Sequence, residues 1–225
     1  MVLVLILSAI SFFAGSLLFS VQNLEKSGGA AQQLDQPEQA KPTNIKIKKP
    51  TTSEHWTGSK DAKFVLVEYS DLECPYCKSL HPTLIKLLRE NQGKVAWVFR
   101  HYPQISEHVK SQKLAEAVEC AAEQGGEKGF WNMTDAIYDK MPNLELVELP
   151  YLASSMGLSE SELKTCLDTN KFESKVNTEQ ADAEKIGFRM TPSTVIYNLS
   201  NDKTLFVEDD VPYDQFKTQL EAFMK

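Results

Sequence analysis

The sequence predicts an α/β domain: strand–helix–strand, then a long helical insertion, then strand–strand–helix. Three observations predict it. Residues 64–69 (FVLVEY) and 94–101 (KVAWVFRH) are nearly continuous apolar runs of strand length on either side of one helical segment. From about residue 106 to 185 the apolar positions keep only a helical period. At residues 193–197 (STVIY) the period returns to two. With 42% hydrophobic and 24% charged residues in 225, the chain is not collagen-like, coiled-coil or wholly disordered. A formal net charge of −7 lacks the basic footprint of a nucleic-acid binder, so no nucleic-acid partner is expected.

The elements follow in order. Residues 1–21 carry no charged side chain and are long enough to span a bilayer as a helix. They read as a membrane anchor or uncleaved signal. A cleaved signal peptide is the alternative, but a basic n-region and a clean A-x-A site are both missing. Either reading sends the chain to an extracytoplasmic location, periplasmic or on the cell-envelope face, where disulfides persist. Residues 22–57 are rich in Gln, Gly and Pro and read as a polar flexible linker, with a candidate edge strand at 45–48. The domain proper is expected at 58–225, its helical insertion at about 104–187.

Within it, Leu80, Leu84, Leu87 and Leu88 form the apolar stripe of the first helix. Pro75 suits a first helical turn, and Pro82 is expected to kink the helix. Leu114, Ala117, Val118 and Ala121 share a face of the next helix, which Gly125-Gly126 should end. Residues 130–138 and 144–156 read as two more helices. Ser159 with Glu162 forms a capping box ahead of Leu163, Cys166 and Leu167. A last strand at 203–207 precedes a helix faced by Tyr213, Phe216, Leu220 and Phe223. Trp97, Trp131 and Phe130 read as core aromatics, and His101 as structural or near the active face.

Chemistry enters with Cys74-Pro75-Tyr76-Cys77, placed after a buried strand and at a helix start. There the first thiol meets unsatisfied backbone N–H groups and the positive end of the helix dipole, which favour its thiolate. The second, a turn deeper, can resolve a mixed disulfide. Half a zinc site is the competing reading. Against it, Cys120 and Cys166 stand 46 residues apart, and His55, His81, His101 and His108 lack zinc-finger spacing. Thr191-Pro192 precedes a strand. Such a proline is an edge or turn residue, or a cis-proline whose loop leaves the Thr191 backbone free to pair with an extended substrate.

These motifs stand in register with a known family. DLECPYC, VFRHYP, AEAVECAAEQG…FWNMTDAIY, TPSTVIY and VPYDQFKTQLEAF together resemble the DsbA-like branch of the thioredoxin superfamily, exported bacterial thiol–disulfide oxidoreductases. The resemblance implies a thioredoxin-like fold with a helical domain inserted in the DsbA manner. Cys74 then matches the attacking cysteine, Cys77 the resolving cysteine and Pro192 the cis-proline, with Pro75, Tyr76, Thr191 and Pro192 against the substrate. Glu68 lies six residues before Cys74, where the superfamily often places a buried acid near the resolving thiol. Burial would raise its pKa and let it exchange the Cys77 proton; otherwise it points to solvent or pairs with a lysine.

Some features depart from the family pattern. Pro-Tyr stands where the enterobacterial type has Pro-His, so no imidazolium sits between the cysteines. Asp71 and Glu73 add negative charge that disfavours the thiolate if close, and Met190 replaces a common glycine. Cys120 and Cys166 read as a structural disulfide, worth roughly 3–4 kcal/mol by loop closure, or as two buried free thiols. The expected function is disulfide formation in unfolded or cysteine-containing exported proteins, without a cofactor. A quinone-linked membrane protein, DsbB-like or VKOR-like, is the implied reoxidant. A reductase, an isomerase and a non-catalytic binding or chaperone module of the same fold are the alternatives.

Overall fold

Apolar runs without polar alternation must be covered on both faces, and the sheet shows how. The protein is described by a computed structural model over residues 45–208 and 211–225. The segment 1–21 and the linker as far as residue 44 lie outside the described residues. Five strands, β1 (His55–Gly58), β2 (Phe64–Ser70), β3 (Val95–His101), β4 (Ser193–Asn198) and β5 (Thr204–Glu208), form one sheet in the order β1-β3-β2-β4-β5. Only β2 and β3 run parallel, joined by α1 (Pro75–Glu90). Every residue of β2, β3 and β4 is buried. Leu66, Trp97, Phe99 and Ile196 pack on one face with Leu80, Leu84, Phe216 and Leu220. Val65, Val67, Val98, Val195 and Tyr197 pack on the other with Trp56, Tyr102 and Phe188. Among the described residues no helix is long and apolar enough to cross a membrane.

The N-terminal boundary differs from the sequence expectation. Strand β1 begins inside the stretch read as flexible linker and ends on Gly58, the first residue of the expected domain, and it pairs antiparallel with β3. Its sequence, HWTG, carries one buried apolar side chain, Trp56, too little to register as a period of two. Gly58 (φ +91°) closes the strand where a Cβ would sit 3.1 Å from both Ala96 Cα and Val95 O, so only glycine fits. Residues 45–48 form no strand; Ile45 and Ile47 instead pack against the second face.

The insertion is helical. The run Ser111–Lys140, labelled α2, is interrupted at Gly125-Gly126 as the sequence predicts: Gly126 at φ 59° and ψ −150° is non-helical, and the kink divides the run into two helices. The later breaks differ from expectation. Residues 144–156 divide into a 3₁₀ turn (Leu146–Glu148) and α3 (Leu149–Ser155), because Pro150 opens a new helix. The reciprocal capping box belongs to Glu145 and Glu148. Ser159 caps α4 (Glu160–Asp168) from one side only: its hydroxyl accepts from Glu162 N, while its own N–H donates to Gln124 Oε1. Helix α5 (Glu173–Ile186) ends on Gly187, and α6 (Tyr213–Phe223) closes the chain. Pro82 lies within α1, which continues to Glu90.

Two devices fasten the insertion. Cys120 of α2 and Cys166 of α4 are joined by a disulfide. One residue earlier, the buried Glu119 carboxylate lies 2.9 Å from His55 Nε2, 2.8 Å from His101 Nε2 and 2.6 Å from Lys175 Nζ. A single anion thereby holds β1, the end of β3, α2 and α5. Burial works to raise its pKa, yet hydrogen bonds and charge from His101 and His55 hold it well below the usual carboxylate range. His101 is a member of this clasp.

Glu119→Ala should cost about 3–5 kcal/mol at pH 7, since it strands the His101 and His55 imidazoles in a buried site and takes the carboxylate from the partly exposed Lys175. The depressed pKa sets the sign: the carboxylate's stabilisation is complete above its ordinary pKa of 4.5 and is lost as pH falls below it. Melting curves should therefore show the gap between wild type and variant narrowing toward pH 3; a constant gap would assign the loss to packing alone. Replacing Cys120 and Cys166 by Ala should lower stability by about 4 kcal/mol for a closed loop of 46 residues, read by denaturant unfolding without reductant.

Candidate active site

Strand β2 delivers the chain into the turn 71–73, and Cys74 takes the N-cap of α1 with extended backbone (φ −77°, ψ 124°). Pro75 fills the first turn, where an absent N–H costs nothing. Cys74 and Cys77 are unpaired and buried, so the centre is in its dithiol form. The Cys74 Sγ–H donates to Thr191 O at 3.4 Å, and the Asp71 N–H points at Cys77 Sγ, also at 3.4 Å. The Thr191–Pro192 peptide is cis. The fold thus brings residues 117 positions apart onto one sulfur. Pro75, Tyr76 (63% exposed) and Met190 (54% exposed) border it on the surface.

The two sulfurs are electrostatically unlike. The Cys74 pKa is lowered from 9.0 to about 6, chiefly by the hydrogen bond from the Cys77 thiol, with backbone N–H groups of Cys77 and Tyr76 overcoming burial. Burial pushes Cys77 well above its ordinary value, and the charges of Cys74 and Glu68 add to the rise. Glu68 is 1% exposed, pairs with no lysine, and is pushed up to about 7 by burial against the hydrogen bond from Ser70. Ser70 Oγ donates to Glu68 Oε1 at 2.6 Å and lies 3.1 Å from Tyr138 Oη, while Glu68 Oε2 has no hydrogen-bond partner.

Ser70, Tyr138, Gln104 and His108 are site residues that the sequence did not single out for these roles. The expected penalty from Asp71 and Glu73 is also changed by their partners. Asp71 accepts from Glu73 N (2.7 Å), Gln104 N (2.7 Å) and His108 Nδ1 (2.8 Å). Glu73 accepts from Lys110 N at 2.6 Å, with Lys110 Nζ 3.9 Å away. Both carboxylates are tied to donors from the loop after β3. The zinc reading loses its ligands, because Cys120 and Cys166 are bonded to each other.

A thiol poised as its anion in front of a buried partner thiol is built for disulfide exchange. Carried on this sheet with this insertion, it gives the chain the DsbA-like form of the thioredoxin fold. The chain belongs to the thioredoxin family, whose family model matches residues 50–222. Pseudomonas aeruginosa DsbA2 is similar in structure, with 25% identity and a TM-score of 0.64 over 81% of this chain and 96% of that one. Oxidised Bacillus subtilis BdbD is similar in fold, with 24% identity and a TM-score of 0.66 over 80% and 97%. Among curated proteins, the Na(+)/H(+) antiporter NhaA 1 of Mycolicibacterium vanbaalenii is 28% identical over 159 residues, 69% of this chain but 25% of that protein. NhaA 3 of Salinispora tropica is 37% identical over 105 residues, 47% and 16% of the two chains. The chain spans a quarter or less of these two relatives.

Alkylation of the reduced protein across pH should give a thiolate midpoint for Cys74 near 6 instead of 9, with Cys77 unreactive over the same range. A midpoint near 9 would remove the asymmetry. The depressed pKa also fixes a sign: Cys74 stabilises the reduced fold fully above pH 9 and ceases to do so as pH falls through 6.

Proposed function

We propose that this chain is an extracytoplasmic oxidoreductase that introduces disulfides into exported, cysteine-containing proteins, with Cys74–Cys77 as its redox centre. The observation that carries this reading is the low pKa of Cys74 beside the high pKa of Cys77. A stabilised thiolate favours the reduced centre, which makes the disulfide form a good oxidant. The Cys120–Cys166 disulfide supports an oxidising compartment. The uncharged segment 1–21 supports export and attachment to the membrane.

In the first step a substrate thiolate attacks Cys74 Sγ of the disulfide form. A substrate–Cys74 bond forms, the Cys74–Cys77 bond breaks, and Cys77 leaves with the electron pair. Cys77 is too basic to remain a thiolate, and Glu68, pushed up to about 7 and acting electrostatically on Cys77, is the acid assigned to supply its proton, with the Ser70 hydroxyl on the carboxyl. A second substrate thiolate then attacks the substrate sulfur, Cys74 departs as a stable thiolate, and two electrons have passed from substrate to enzyme. Thr191 and Pro192 border the sulfur and line an extended peptide, with Pro75, Tyr76 and Met190 beside them. Reoxidation falls to a quinone-linked membrane protein, DsbB-like or VKOR-like, as the family resemblance implies.

The deciding measurement is the equilibrium potential against glutathione, together with the state of the pair in cells read by thiol trapping. A pair held oxidised, with a potential above about −200 mV, is expected; a pair held reduced would make the protein a reductase. Cys74→Ser should abolish turnover; a wild-type protein without turnover, whose binding of unfolded chains is unchanged in Cys74→Ser, would be a binding module. Glu68→Gln should slow turnover and delete the limb of the pH profile near 7. Its raised pKa means wild-type stability declines as pH rises from 4.5 through 7, so at pH 8 the Gln variant should be the more stable, by on the order of 3 kcal/mol. Equal stability at pH 8 would contradict a buried charge there.

A further inference from the structure

We propose that His108 is a positioning residue of the redox centre: held on Asp71, its imidazolium supplies from the β3–α2 loop the positive charge that Pro-Tyr does not place beside Cys74. The geometry is a relay of short contacts through one turn. His108 Nδ1 donates to Asp71 Oδ2 at 2.8 Å. The Asp71 side chain is fully buried, and its remaining donors are the backbone N–H groups of Gln104 and Glu73. None of the three donors is a lysine or arginine, so the imidazolium is the cation that this buried carboxylate contacts. The same Asp71 gives its carbonyl to Cys74 N at 3.1 Å and aims its N–H at Cys77 Sγ. His108 is thus one residue removed from the Cys74 backbone and from the Cys77 sulfur, while its 22% exposed ring draws protons from solvent.

The charged groups around it decide the sign. From the β2–α1 turn come Asp71 and Glu73, and from the start of α1 comes Cys74. From the entry to α2 comes Lys110, whose Nζ lies between Glu73 and Glu145 at 3.9 and 3.8 Å. Burial works to lower the His108 pKa, but Asp71, Cys74 and Glu73 raise it above the ordinary value. Coupling between two titrating groups is reciprocal: a thiolate that raises the imidazole has its own pKa lowered by the imidazolium. This adds to the larger effects of Cys77 and the backbone on Cys74. It also explains why Asp71, an anion beside the thiolate, does not defeat it. The carboxylate and imidazolium together present the centre with little net charge.

The inference rests on Cys74 as the nucleophile, which the turnover of Cys74→Ser tests separately. The present test reads His108 itself in the unaltered protein. Its imidazole titration by NMR should have a higher midpoint in the reduced protein than in the disulfide form, because only the former carries the thiolate. Equal midpoints would overturn the proposal even if Cys74 proves to be the nucleophile. Variants give the reverse reading. His108→Asn should move the Cys74 alkylation midpoint up by roughly half a pH unit or more and shift the glutathione equilibrium severalfold toward the disulfide. His108→Lys should restore the low midpoint. If Asn and Lys displace it equally, His108 only packs the loop and the proposal fails.

Discussion

Keeping one sulfur as an anion while denying charge to another a helical turn away is the constraint on which the rest of this structure depends. A helix start alone does half of it, since free N–H groups and the macrodipole act on whatever sits at the N-cap. The other half needs burial, which disfavours the Cys77 anion and keeps that thiol protonated, as a donor to its neighbour. That burial comes from the sheet, from α1 pressed on it, and from Tyr138 of the insertion reaching over Ser70.

The insertion is therefore part of the active site. Helix α2 starts beside the loop that holds Asp71 and Glu73, and its second half supplies Tyr138. Its orientation is held by the Glu119 clasp and the Cys120–Cys166 bond, which are adjacent in sequence and address different partners. The clasp ties α2 to the sheet and α5, and the disulfide ties it to α4. A buried anion with three basic partners is expensive to assemble and unforgiving of loss, which suits a joint that must hold one geometry.

Charge is handled locally. Three acids, Glu68, Asp71 and Glu73, lie within seven residues of Cys74, and a count of charges predicts a poor thiolate. Each is dealt with differently: Glu68 by burial that favours its neutral form, Asp71 by three donors, and Glu73 by the Lys110 backbone. Two of the three solutions come from residues 104–110, the stretch that leads from the parallel strand into the insertion.

Much of this was legible in the sequence, because local chemistry and period carry it. The strands β2, β3 and β4 announce themselves as apolar runs, and α1 by its leucine stripe. The cysteine pair is read from its position at a helix start, and Glu68 from being an acid in a buried run. The short strand β1 was not legible, since one buried Trp56 makes no pattern, and its place depends on an edge of β3 left open by the sheet. The interruption at Gly126 was legible, but not that the helices on either side of it pack on the same core, which only the fold decides. Nor could spacing reveal that His108 meets Asp71, Tyr138 meets Ser70 or Thr191 meets Cys74. Each pair is separated by tens of residues and is joined only when the sheet closes. The sequence by itself determined which atoms can do chemistry, because nucleophile, acid and helix start are local properties. The tertiary structure decided their protonation, because desolvation and the partners of a buried charge are set by whatever the fold packs against it.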